Sequence, residues 1–236
     1  MSEPVFRDDM LVELIDNMGD DKRVVRAARV STGKDLAIPG EAFETVSGLI
    51  RFLMKNRHGT PFEHNAFTFR VECPIFVSRE FMRHRIASYN EESGRYKQLD
   101  PVFWIPAPSR PLIQEGKPGA YVLKPGTMDQ YDYTVRTLKT VAGAAYDAYE
   151  RILAEGVARE VARACLPIGI YTSFYVTFNA RSMMNFLSLR VDDPDSAYPS
   201  KPQYEIEQVA LQVEDVFQRK MPVTFRAFRE NRRVAP

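Results

Sequence analysis

Between Thr127 and Glu155 the apolar residues Tyr131, Val135, Leu138, Ala142, Ala145, Tyr149 and Ile152 recur at alternating intervals of four and three. That period places them along one side of a single long helix, and a helix so striped must bury the stripe against something. The partner is either the core of the same chain or a helix of a second subunit. With 236 residues the chain is long enough to supply that core without help from disulfides or metals.

The rest of the pattern mixes helices with fewer strands. Leu11 to Met18 alternates as a strand does and is ended by Gly19-Asp20, after which Asp20 and Asp21 open a helix through Val24, Val25 and Ala28. Between Gly40 and Arg57, Phe43, Val46, Ile50 and Leu53 fall on one helical face, and His58-Gly59-Thr60-Pro61 stops that helix. Ala66 to Val71 reads as a strand ended by Cys73-Pro74, and Pro74 suits the first turn of a helix reaching about Arg85, with Ile75, Val77, Phe81 and Met82 inward. Residues 106–126 hold Pro106, Pro108, Pro111, Pro118 and Pro125 with Gly116, Gly119 and Gly126, which predicts a long irregular excursion. Ile170 to Phe178 reads as a buried strand, Arg181 to about Val191 as a helix, and Gln203 to Gln218 as a final helix with Ile206, Val209, Val213 and Val216 inward. Strands so irregularly spaced are not repeated βαβ units. The predicted fold is therefore α+β, one domain over 1–236 with the excursion at 106–126, its mainly antiparallel sheet flanked by long helices.

Charge narrows the function. Lys and Arg number 32 against 31 Asp and Glu, for a net charge of +1, which argues against a protein that coats nucleic acid or an anionic membrane. No run approaches the ~18 apolar residues of a membrane span. The opening Met-Ser-Glu-Pro-Val-Phe-Arg-Asp-Asp lacks the pattern of a signal peptide, and two cysteines make no disulfide framework, so a cytoplasmic location is expected. Three histidines, with His58 and His64 six apart across a turn, do not form a zinc set, and no metal is expected. Cys73 and Cys165 sit in apolar settings and read as buried structural thiols.

No glycine-rich phosphate loop is present, so a nucleotide would have to be held by side chains. The densest polar segment runs from Arg83 to Tyr96. Its arginines and His84 offer donors to phosphate, Ser93 and Gly94 a hydroxyl and an approachable backbone, and Asn90 and Glu91 groups that read a base edge. Asn179 to Arg190 is a second polar stretch, in which Arg181 and Asn185 are helical neighbours. Each of these residues also has an ordinary reading. Asn179 caps a helix, Arg190 complements a helix dipole, and arginines near a helix end pair with Glu91 and Glu92. A non-enzymatic nucleotide- or RNA-binding module, stacking bases on Tyr89, Tyr96 and Trp104, is the alternative to an enzyme.

The order of these blocks resembles one family. Arg83-His84-Arg85, seven residues and then Ser93 match the signature of flavin-dependent thymidylate synthases. Further similar blocks follow the family order: His58-x-Thr60-Pro61-Phe62-Glu63-His64, Arg159-Glu160-Val161-Ala162-Arg163 with Leu166-Pro167, and Asn179-Ala180-Arg181-Ser182 through Asn185 and Leu189-Arg190. The resemblance implies reductive methylation of dUMP to dTMP, with FAD as cofactor and NADPH and methylenetetrahydrofolate as co-substrates, in a homotetramer. It implies that Thr60, Arg83, His84, Arg85, Glu91, Asn179, Arg181 and Asn185 surround FAD. Arg83, Glu91, Glu92, Ser93, Gly94, Arg95, Arg163 and Arg190 would surround dUMP, with Arg190 as the catalytic group favouring ionisation at N3 of the uracil. Glu80 stands where the family often has a glutamine contact to dUMP. Ser93 has no evident general base and belongs with binding.

Overall fold

The computed structural model describes residues 2–33, 43–117 and 120–236. Strands β1 (Val5–Arg7) and β2 (Leu11–Met18) precede helix α1 (Asp21–Arg29) and helix α2 (Phe43–Lys55). Then come β3 (Ala66–Pro74), α3 (Ile75–Phe81), β4 (Ser88–Glu91), β5 (Val102–Trp104), β6 (Ile113–Lys117) and β7 (Ala120–Lys124). The chain continues through α4 (Met128–Ala154), α5 (Arg159–Ala162), β8 (Tyr171–Phe178), α6 (Ala180–Arg190), α7 (Tyr204–Lys220) and α8 (Pro222–Glu230). Strands β2, β3, β8 and β4 lie in that order in a four-stranded sheet, β1 pairs parallel with β5, and β6 pairs antiparallel with β7. The fold is α+β with a mainly antiparallel sheet. By its contacts the chain divides into two compact units, each gathered from three stretches. One comprises Met1–Leu11, Glu72–Phe81 and Glu91–Phe174, the other Val12–Val71, Met82–Asn90 and Tyr175–Pro236.

In the first unit the long apolar stripe becomes α4. Its N-cap Thr127 accepts a hydrogen bond from the Gln130 amide at 3.2 Å while the Gln130 side chain accepts from the Thr127 amide at 2.8 Å, a reciprocal capping box. Toward the C-terminal end Ala142, Tyr146 and Tyr149 are buried against Leu99, Phe103, Ala162 and Ile170, and each ring removed from water contributes about 2–3 kcal/mol before entropy is counted. Toward the other end Tyr131, Val135 and Leu138 are only half-buried. The two tyrosines also hold backbone. The Tyr146 hydroxyl donates to the Leu99 carbonyl at 2.8 Å, and the Leu99 amide donates to the Tyr149 hydroxyl at 3.2 Å.

Two expectations change in this unit. The Pro/Gly-rich stretch contains a regular hairpin, β6 against β7 with Ile113 opposite Lys124, because Pro111 and Pro125 flank the strands and Gly116 takes the positive φ of 104° at no side-chain cost. Pro118 and Gly119 lie outside the described residues. Helix α3 ends at Phe81 instead of running to Arg85, since nothing apolar beyond Met82 can be buried along its face and Ile86 is exposed.

In the second unit Asp20 caps α1 by accepting from the Arg23 amide, and Val24 and Val25 turn inward. Val46, Ile50 and Leu53 of α2 are buried as their spacing requires; the expected start at Gly40 and the side chain of Phe43 lie outside the described residues. Phe67 and Phe69 of β3 are fully buried, with Phe69 5.7 Å from Phe178 between ring centres. Ile206, Val209, Val213 and Val216 of α7 all face inward. The chain does not end its helices there. After Met221, α8 starts with proline at its first turn, a position whose missing amide would have no intrahelical partner anyway. Its next orphan amides are met from far away in sequence: Asp21 accepts from the Val223 amide at 2.9 Å, the Thr224 amide at 2.8 Å and the Thr224 hydroxyl at 2.6 Å.

Asp21→Ala strands two amides and a hydroxyl in a buried setting. It should lower stability by about 2–4 kcal/mol in urea unfolding, the range for orphaned buried donors. A loss below about 0.5 kcal/mol would mean that water replaces the carboxylate without cost.

Candidate functional site

The first unit contains a cavity of about 400 Å³ to which Arg79, Glu91, Glu92, Gly94, Glu160, Arg163 and Thr172 contribute. Glu91 is the last residue of β4, and it accepts from the Thr172 hydroxyl of β8 at 2.7 Å. The chain then leaves the sheet as the Glu92 amide donates to the Ser173 carbonyl at 2.9 Å. A turn follows, closed by the amides of Tyr96 and Lys97 on the Ser93 carbonyl, with the Ser93 hydroxyl accepting from the Arg95 amide at 3.2 Å. Within that turn Gly94 is buried. A Cβ there would lie 3.1 Å from Leu99 Cδ1 and 3.2 Å from Arg163 Cδ, so the absence of a side chain lets the Arg163 stem pass close to the backbone.

Charge in this cavity is unevenly spent. Glu92 pairs with Lys97 at 3.0 Å and Glu160 with Arg95 at 2.7 Å, both exposed enough to be worth under about 1 kcal/mol each. The remaining lining cations are Arg79 and Arg163, a combination suited to an anion flanked by groups that form hydrogen bonds. Of the eight sequence-derived dUMP residues and Glu80, the cavity brings together Glu91, Glu92, Gly94 and Arg163. Ser93 and Arg95 adjoin it in the chain but are engaged in the turn and with Glu160. Glu80, half-buried on α3, does not line it; its neighbour Arg79 does. Arg79 was legible as the residue one turn beyond Ile75, which lines the same cavity, and Thr172 as an alternating position of a buried strand.

The second unit holds the other predicted residues. A cavity of about 1040 Å³ is lined by Thr60 together with Arg29, Arg57, Ser31, Thr32 and Thr45 over an apolar floor that includes Phe52, whose ring meets His58 edge-on at 5.7 Å. Arg57 takes a φ of +59° at the end of α2, a conformation that costs a non-glycine residue roughly 1 kcal/mol. Next to Thr60, Gly59 packs on Arg181: a Cβ would come within 2.6 Å of the guanidinium carbon. That guanidinium donates to the Pro236 carbonyl at 2.7 Å and pairs with Glu63 at 2.5 Å. Asn179 is the N-cap of α6, accepting from the Ser182 amide at 2.9 Å, and Asn185 is exposed one turn beyond Arg181.

Arg83, His84 and Arg85 occupy the loop before β4, with Arg83 and Arg85 exposed and His84 half-buried. The Tyr89 hydroxyl donates to the His84 carbonyl at 2.9 Å. From α6, Arg190 Nε donates to His84 Nε2 at 3.0 Å, and Phe186 meets the imidazole edge-on at 4.9 Å. Burial, and secondarily the Arg190 charge, push the His84 pKa down to about 4, so the ring is neutral near pH 7 and its Nε2 is an acceptor. The cysteines divide. Cys73 is buried and its thiol is pushed upward, chiefly by desolvation, whereas Cys165, contrary to its apolar surroundings in sequence, is exposed with its Sγ donating to the Ala162 carbonyl at 3.2 Å. Its neighbours Ala164 and Leu166 belong to the short turn after α5, which leaves the thiol on the outer side. Among the described residues no group of three or more His, Cys, Asp or Glu could hold a metal ion, and no helix is long and apolar enough to cross a membrane.

Comparison with known proteins follows the same blocks. A family model described as thymidylate synthase complementing protein matches residues 13–223. A flavin-dependent thymidylate synthase of Tropheryma whipplei (strain TW08/27) is 53% identical over 235 residues, spanning 99% of this chain and 98% of that protein. One from Streptomyces avermitilis is 51% identical over 237 residues, spanning 99% and 96%. The crystal structure of the UMP/dUMP methylase PolB from Streptomyces cacaoi bound with 5-Br UMP shares 47% identity at a TM-score of 0.93, covering 100% of both chains.

A neutral His84 has a consequence for stability. Its folded pKa of about 4 lies below the ordinary 6.5, so between those values the unfolded chain binds more protons and stability falls as pH drops from about 6.5 to about 4. His84→Gln should flatten that part of the stability–pH curve measured by urea unfolding. An unchanged slope would mean that His84 titrates as an ordinary solvated imidazole.

Proposed function

The chain belongs to the family of thymidylate synthase complementing proteins, and from that membership we propose that it methylates dUMP reductively to dTMP. The overall reaction takes dUMP, methylenetetrahydrofolate, NADPH and a proton to dTMP, tetrahydrofolate and NADP⁺. The observation that carries this reading is the convergence of Glu91, Glu92, Gly94 and Arg163 on one cavity whose size and donors suit a nucleoside monophosphate. The name UMP/dUMP methylase borne by the neighbour at TM-score 0.93 supports a uridine 5′-monophosphate as the substrate class. A non-enzymatic binding module has no such support, since the relatives spanning nearly the whole chain are named as synthases.

In this reading Arg163, with Ser93, Gly94 and Arg95, receives the phosphate end of dUMP, and Glu91 and Glu92 orient the sugar; the family resemblance adds Arg83 and Arg190 for the pyrimidine. Glu80 would contribute from the adjoining helix. A planar guanidinium that stays charged at any working pH stabilises the negative charge gained by the uracil when N3 ionises, which is the role proposed for Arg190. The second unit's 1040 Å³ cavity fits a dinucleotide: its charged lining residues, Arg29 and Arg57, are both cationic, and the hydroxyls of Ser31, Thr32, Thr45 and Thr60 are hydrogen-bonding groups. FAD bound there would draw on Thr60, which lines the cavity; the family resemblance adds Arg83, His84, Arg85, Glu91, Asn179, Arg181 and Asn185 to the flavin set. When bound, the flavin supplies the hydride chemistry that no side chain carries. The same reading has residues 1–236 working as one domain, in the cytoplasm and as a homotetramer. Matches over 99% of the chain support the first of these statements, and family likeness supports the last.

Arg190→Lys tests the assignment. Lysine keeps the charge and loses the fork, so dTMP formation should fall by about 100-fold or more while bound flavin changes by less than about twofold. Near-normal turnover would remove Arg190 from the chemistry, and absence of dTMP from the wild-type protein supplied with dUMP, FAD, NADPH and methylenetetrahydrofolate would remove the function itself.

The cysteines generate a separate expectation. A thiolate nucleophile needs an accessible, electropositive setting, which Cys73 lacks entirely and which the exposed Cys165, bonded to a carbonyl, does not obtain. The double variant Cys73→Ala, Cys165→Ala should retain dTMP formation. Complete loss of turnover in a folded, flavin-loaded double variant would bring back covalent catalysis through sulfur.

A further inference from the structure

His84 lies in a setting that a flavin contact alone does not explain. Phe186 and Arg190 are four residues apart on α6 and therefore present neighbouring side chains, one buried and apolar, the other cationic. The imidazole of His84 sits across both: the Phe186 ring meets it edge-on at 4.9 Å and Arg190 donates from Nε to its Nε2 at 3.0 Å. Its backbone is fixed as well, because the Tyr89 hydroxyl donates to its carbonyl at 2.9 Å. Three restraints thus converge on one residue, two of them on its ring.

We propose that His84 is the positioning residue for Arg190, its Nε2 accepting from the Arg190 Nε and thereby setting the plane of the guanidinium, a role that rests on the assignment of Arg190 to the pyrimidine. Rotation about the end of an arginine side chain swings its two terminal amino groups through several ångströms, and a bond to Nε removes that freedom while leaving the charge in place. The acceptor must carry no proton at Nε2, and burial together with the adjacent guanidinium keeps the ring neutral there. The proton of the neutral ring then resides on Nδ1, a tautomer that follows from the direction of the Arg190 bond. Phe186 contributes shape: it limits the tilt of the imidazole so that Nε2 keeps facing the guanidinium. The arrangement works through a second residue, so it predicts coupling and not an independent contribution.

Two variants separate shape from bonding. His84→Phe keeps a ring against Phe186 and deletes the acceptor, whereas His84→Gln loses the ring and retains an acceptor at about the distance of Nε2 from the backbone. In the purified, FAD-loaded full chain, His84→Phe should lower the kcat for dTMP formation by about 10- to 100-fold, the penalty for misplacing a reacting group. With each variant saturated with FAD, the KM for dUMP should change by less than about threefold, and His84→Gln should recover most of the lost kcat. In an Arg190→Ala background, His84→Phe should cost less than about twofold more, because the residue it positions is gone. An unchanged kcat per bound flavin in His84→Phe would make His84 a cofactor contact only, and multiplicative effects of the two substitutions would show that the residues act independently; either result overturns the proposal. The same double-mutant cycle read by urea unfolding needs no substrate. Coupling between positions 84 and 190 in that measurement, in a protein that makes no dTMP, would set aside the proposed activity while upholding the contact, and additivity in both measurements would set aside the contact.

Discussion

The grip of two tyrosines on one residue organises the first unit. Leu99 lies just beyond the turn that carries Glu92, Ser93 and Gly94, and both of its backbone polar groups are taken up by α4, the carbonyl by Tyr146 and the amide by Tyr149. Buried backbone groups without partners would cost about 1–3 kcal/mol each, so the pair of hydroxyls is what permits this stretch to be buried at all. The side chain of Leu99 then packs under Gly94, and Arg163 passes over the same glycine. A long helix, a turn without regular structure and a short helical segment are locked into one arrangement. The acidic and basic groups around the 400 Å³ cavity are held by that lock more than by their own exposed ion pairs.

The second unit solves a related problem with a helix face. Helix α6 begins at the Asn179 cap and ends at Arg190, so its first turn carries Arg181 and its last turn carries the cation that its dipole favours. Three polar residues that the family resemblance singles out here, Asn179, Arg181 and Arg190, also have such an ordinary structural task. Asn179 caps, Arg181 ties Glu63 and the Pro236 carbonyl together, and Arg190 sits where any helix accommodates a positive charge. Structural and chemical duties are thereby shared by the same atoms, and substitutions there will rarely affect only one of them.

What could be read from residues alone follows from the length over which a pattern persists. Helices α4 and α7 show their apolar faces over several turns, and β3 and β8 alternate long enough to be seen. Strands β1 and β5 have three residues each and display no period, and the buried face of α8 is short, made of Val223, Thr224, Ala227 and Phe228. The β6–β7 hairpin is hidden in the sequence because its two five-residue strands sit within a segment dense in prolines and glycines, between Pro111 and Pro125. For the site, local order is silent on what each polar stretch meets in the fold. That Arg190 bonds to His84, 106 positions earlier, and that Arg79 shares a cavity with Arg163, are outcomes of folding on which spacing is silent.

The bond between Asp21 and the start of α8 spans 203 positions. During synthesis the carboxylate emerges long before its partners, so α1 must wait, capped by Asp20 and solvated at Asp21, until α8 has left the ribosome. The unit to which both belong begins at Val12 and is completed only by residues after Tyr175, and the other unit needs the chain as far as Phe174. The second unit therefore cannot mature until the first has been made in full. Contacts of such long sequence separation slow folding, and a nascent chain of this design exposes its apolar helix faces until α8 arrives. Loss of α8 therefore reaches back to the first helix, and chaperone dependence should be governed by the residues that form it.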